Sequence, residues 1–95
     1  MLTLPIKKKW FDMIVSGEKK EEYRTISNYY RQRLNITKRC ILRNGYSRDR
    51  PKIGIDFELS VGCGKKEWGA VKDEIYFILK IIDIWNVVDK YKTKQ

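Results

Sequence analysis

The clearest hydropathy pattern in the chain runs from Lys52 to Val61. Ile53, Ile55, Phe57, Leu59 and Val61 alternate with Gly54, Asp56, Glu58 and Ser60, the period of two that gives a strand with one buried and one wet face. Glu74 to Trp85 is apolar on both faces and rich in β-branched and aromatic residues, which predicts a strand buried on both sides, with Trp85 in the core. Nearer the start the period lengthens. Trp10, Met13, Ile14 and Gly17 recur at helical spacing, so Lys7 to Ser16 reads as a helix that Gly17 ends in a left-handed conformation and whose Trp10 packs in the core. Leu2 to Ile6 is a short extended start, with Pro5 at an edge or turn position. Lys20 to Ile26 is a strand in which Glu22 and Arg24 face one way and Tyr23 and Thr25 the other. Ser27 caps a short helix from Asn28 to about Leu34. Arg39 to Tyr46 is a strand with Asn44-Gly45 as a bulge or turn, followed by a basic loop over 47–51. Gly62-Cys63-Gly64 is a turn, Glu67 to Val71 a short strand, and 90–95 a frayed polar tail.

This order predicts an α+β fold: one domain over 1–95, a strongly bent mixed barrel of about 5–6 strands with two helices across its open ends. A chain of 95 residues with 42% hydrophobic content supports one core, and no apolar run reaches the ~18–20 residues of a membrane span. The opening Met-Leu-Thr-Leu-Pro and three lysines lack the basic-then-apolar order of an export signal, which points to the cytoplasm. Histidine is absent, so serine–histidine and cysteine–histidine nucleophilic sites are excluded within the chain. Cys40 and Cys63 alone fall short of a structural zinc set and read as reduced thiols. No metal and no cofactor is expected.

Charge changes the picture more than composition does. The net charge is +9, and the first fifty residues hold thirteen basic against five acidic side chains. All seven arginines lie between Arg24 and Arg50, interleaved with Tyr29, Tyr30 and Tyr46. Arginine forks suit phosphates and base edges, and aromatics stack unpaired bases. The pattern favours RNA as partner over an acidic protein or a membrane surface.

Residues 17–24 contain G-x-K-x-x-E-x-R at Gly17, Lys19, Glu22 and Arg24. A helix-ending glycine leads into a strand that projects Glu22 and Arg24 from one face, with Lys19 entering from the corner. This motif in this setting resembles the ASCH domain, a branch of the PUA-like superfamily. Leu2-Thr3-Leu4 with the helix after it, Arg43-Asn44-Gly45-Tyr46, Glu67-Trp68-Gly69-Ala70 and the late strand Tyr76 to Ile81 are similar to the small bacterial and phage-like members, so the resemblance covers nearly the whole chain. It implies a PUA-like β-barrel with an adjoining cleft that binds RNA.

The expected nucleic-acid-binding residues are Lys19, Glu22, Arg24, Arg43, Asn44, Tyr46, Arg48 and Trp68. Lys19 and Arg24 would take phosphate, Glu22 would orient them or accept from a base amino group, and Tyr46 and Trp68 would stack. The alternative is a small hydrolase on the same cleft, a ribonuclease or an N4-acetylcytidine amidohydrolase, with a nucleoside-like ligand. Lys19 and Glu22 would then be catalytic. One ASCH branch uses the motif lysine with a threonine and a later glutamate. Here Glu22 stands at the threonine position, Thr25 faces the other way, and Glu58 and Glu67 are the candidates for the later acid. A third reading is an adaptor that binds an acidic protein through the 24–50 surface.

Overall fold

The computed structural model describes residues 1–87, so the tail assigned to 90–95 lies outside the described residues. Five strands and two helices follow one another as β1 (Thr3–Ile6), α1 (Lys8–Val15), β2 (Glu21–Thr25), α2 (Asn28–Leu34), β3 (Arg39–Asn44), β4 (Lys52–Cys63) and β5 (Ile75–Asn86). They form an α+β fold around a single mixed sheet of order β1-β3-β4-β5-β2. The β1–β3 pair is parallel and the other ladders are antiparallel. The expected closed barrel is not what the ladders give. Consecutive in the chain, β1 and β2 are the two opposite edges of the sheet.

One sheet face carries the core. Leu4, Cys40, Leu42, Ile55, Phe57, Phe77 and Leu79 are buried there together. Phe11 and Ile14 of α1 and Leu34 of α2 complete it. The inner face of α1 is therefore centred on Phe11 and Ile14, and Trp10 is half-buried at its margin. Burial pushes the Cys40 thiol up to about 12, so it stays protonated and inert. Cys63 is exposed and unpaired.

Two local devices give the sheet its shape. Gly17, at φ +86°, follows α1 and donates to the Ile14 carbonyl, while the Lys19 N–H returns to Met13. That left-handed stop carries the chain from α1 directly into β2. The second device is a bulge. Asp56 pairs with Asp83 but Phe57 pairs with Ile81, so Ile82 is an extra residue in β5. A bulge bends the strand and exchanges its faces beyond that point.

The bulge corrects the placement of Trp85. Continued alternation from Phe77, Leu79 and Ile81 puts Trp85 inside; the inserted Ile82 moves it outside. Its ring lies flat over Gly54, where an added Cβ would sit 2.3 Å from the indole. Its Nε1 donates to Asp56, which also accepts from Arg39 Nε, each at 3.1 Å. Two further expectations change. Strand β4 continues through Cys63, and 67–71 is not a strand: a 3₁₀ turn spans Lys66–Trp68. Exposed Lys and Glu side chains there leave no alternating apolar face to pair.

Gly54→Ala tests the outer stack. The new methyl displaces the Trp85 ring, with a stability loss of about 1–3 kcal/mol and a shift in tryptophan emission. Urea unfolding unchanged from the parent chain would refute the packing.

Candidate functional site

On β2 the positions facing the core are not apolar. Glu22 pairs in register with Leu79 and Arg24 with Phe77, so a carboxylate and a guanidinium continue the buried face of the sheet. Glu22 is 6% exposed and Lys19 2%. Arg24 Nη2 lies 2.7 Å from Glu22 Oε2, and Lys19 Nζ lies 3.4 Å from Oε1. The carboxylate is held from both sides.

Each cation has a second anchor. Lys19 Nζ donates to the Trp68 carbonyl at 2.7 Å and sits beside the Trp10 and Tyr23 rings. Burial lowers its pKa, with Glu22 offsetting part of that cost. Arg24 Nη2 also donates to the Pro5 carbonyl at 2.9 Å, and Nη1 to the Tyr30 hydroxyl at 3.3 Å. Burial works against the charge of Arg24, but Glu22 and Tyr30 outweigh it and hold the pKa above the usual guanidinium value. Because Pro5 is in β1 and Arg24 in β2, this side chain joins the two sheet edges that no ladder connects. Tyr23, on the opposite face, donates to Glu21 and accepts from the Lys65 N–H. Burial of its phenol raises its pKa.

A cleft of about 370 Å³ opens on this cluster. Glu22 and Arg24 line it from β2, Pro5 and Ile6 from β1, Lys7, Lys8 and Trp10 from the start of α1, and Gly45 and Tyr46 from the turn after β3. Tyr46 is 86% exposed at its margin. The volume is within the ~300–1,000 Å³ usual for small-ligand sites.

Of the expected residues, the fold brings Glu22, Arg24 and Tyr46 to the cleft. Lys19 supports Glu22 without lining it, so it is not placed to grip a phosphate there. Arg43 Nε bonds the Gly45 carbonyl, and Asn44 is buried with its backbone tied to Pro51 and Arg50. These two residues build the turn that presents Tyr46. Arg48 is exposed and Trp68 half-buried, and neither lines the cleft. Nor do Thr25, Glu58 and Glu67, the groups weighed beside Lys19 and Glu22 for a hydrolase: all three are exposed and outside the lining. Among the described residues, no group of three or more His, Cys, Asp or Glu could hold a metal ion, and no helix is long and apolar enough to cross a membrane.

Sequence reasoning missed Lys7, Lys8 and Trp10 as cleft residues. Helical spacing placed Trp10 in the core. The readable signal was charge: α1 starts without a side-chain cap or an acidic residue in its first turn, and Lys7, Lys8 and Lys9 stand where a helix dipole disfavours cations. Several arginines of the 24–50 stretch are also engaged internally. Arg39 pairs with Asp56, Arg50 bonds Asn44, and Arg33 stacks on Tyr29 at 3.7 Å.

Glu22→Gln leaves two buried cations facing a neutral amide, and the expected cost is about 3–5 kcal/mol. Lys19→Met leaves the Glu22–Arg24 pair intact but strands the Trp68 carbonyl and removes the cation beside Glu22 Oε1, for about 1–3 kcal/mol. Urea unfolding followed by circular dichroism reads both; the reverse order of stability would refute the central position of Glu22.

Compared with protein-family models, curated proteins and solved structures, the chain matches none.

Proposed function

We propose that this chain is a single-stranded RNA-binding module of the ASCH kind, with the curled sheet as its PUA-like scaffold and one unstacked nucleotide seated in the cleft. The observation that carries this reading is the composition of the cleft. A buried carboxylate fixed by two cations lines it from β2, two aromatic rings flank it, and Lys7 adds positive charge beside Lys8, whose ammonium is shared with Asp12. Stacking on exposed aromatics and lysine contacts to phosphate are the usual means of holding an unpaired strand, and a buried acceptor among them gives a base something to bond.

The basic balance of the first fifty residues supplies the long-range attraction. The hydrolase reading loses ground on the same geometry. Of its groups only Glu22 lines the cleft; Lys19, Thr25 and the candidates for the later acid, Glu58 and Glu67, do not. An acidic protein partner would use the charge, but it would leave the buried carboxylate without a role.

The test is fluorescence anisotropy of labelled single-stranded RNA across a salt series. Binding weakens with salt, each lost phosphate contact reducing the log–log slope by about 0.7. Lys7→Ala with Lys8→Ala lowers that slope. Tyr46→Ala, at an exposed position, loses about tenfold or more in affinity through lost stacking. No binding at low salt, or variants that bind like the parent, would overturn the reading.

A further inference from the structure

Resting on the RNA reading, we infer that the cleft selects a base that offers hydrogen-bond donors on its Watson–Crick edge, guanine first. An ionised carboxylate has acceptors only. Glu22 is almost fully buried yet lines the cleft, so a ligand atom that meets it has entered the cleft.

The donors nearest Glu22 are committed elsewhere or closed off: Arg24 Nε has no hydrogen-bond partner, but it is fully buried. Lys19 is turned to the Trp68 carbonyl. The Arg24 terminal nitrogens serve Glu22, Pro5 and Tyr30. Pro5 has no N–H, and the Gly45 N–H goes to Ile6 and Arg43 carbonyls. What these groups leave for a base at this point is the remaining lone-pair capacity of Glu22.

The four bases differ sharply against such a surface. Guanine presents two adjacent donors, N1–H and the 2-amino group, which a carboxylate accepts in parallel. Adenine and cytosine each present one amino group beside a ring nitrogen whose lone pair the carboxylate repels. Uracil presents a single N3–H between two carbonyl oxygens. A good bidentate contact discriminates by about tenfold or more over a wrong base, and donors that find no acceptor count against every other arrangement.

The experiment is competition by short oligouridine RNAs that carry one central guanosine, inosine, adenosine, cytidine or uridine, against the unaltered chain. Guanosine binds at least about tenfold tighter than uridine, and inosine, which lacks only the 2-amino donor, falls between them. Tyr46→Ala weakens every RNA and keeps the ranking. Glu22→Gln narrows the guanosine–uridine gap where circular dichroism shows the variant folded; where it does not fold, the inosine comparison decides alone. RNA binding without preference, a uridine preference, or inosine equal to guanosine would overturn this inference and leave the RNA reading standing. Binding by none of the RNAs overturns both.

Discussion

Glu22 is the point on which the molecule turns. It is a buried carboxylate on an edge strand, at a position where the sheet pattern calls for an apolar side chain, and it is kept there by Lys19 on one side and Arg24 on the other. Well-packed apolar residues in such a place are often as stable or more so. Stability alone therefore gives little reason for the trio, and its exposure to a cleft gives a better one. The trio also has a structural consequence. Arg24 reaches from β2 to the Pro5 carbonyl of β1, so the same group that fixes Glu22 draws together the two edges of an open sheet.

The cleft exists because those edges come close. The bulge at Ile82 bends β5 against β4. The left-handed stop at Gly17 sends the chain from α1 into the far edge of the sheet. Lys19, just after that stop, fills the corner against Trp68 and Trp10. The start of α1 and the turn at Gly45–Tyr46 then frame the opening. Arg43 and Arg50 hold that turn through backbone carbonyls, which makes them part of the frame while Tyr46 stays free to contact a ligand.

Much of this was readable in the chain, and for local reasons. Period-two alternation placed Glu22 and Arg24 on one face and Tyr23 on the other. Ser27 caps α2 as its chemistry suggests, its Oγ accepting from the Tyr30 N–H at 3.2 Å. Gly17 stops α1 because a glycine tolerates φ > 0. What local patterns could not carry was the effect of a single inserted residue. Nothing in Ile81-Ile82-Asp83 marks which isoleucine is the extra one, and that choice decides where Trp85 goes. The direction of Lys19 was hidden for a similar reason. Its acceptor is a backbone carbonyl 49 positions away, and a carbonyl leaves no mark in a sequence. Trp10 satisfies helical spacing whether it closes a core or walls a cleft. The arginine cluster drew attention to phosphate, but several of its members are spent on turn carbonyls and on Asp56; at the start of α1, Lys7 lines the cleft beside Lys8, which pairs with Asp12.

The most direct measurement of the account is a two-dimensional amide NMR titration of the isotope-labelled chain with unlabelled single-stranded RNA. Shifts that cluster on Lys7 to Trp10, Glu22 to Arg24 and Gly45 to Tyr46 are the predicted result. Shifts confined to Arg31 and Arg33 on α2, or to the distal β4–β5 hairpin, with the cleft amides unmoved, would contradict it.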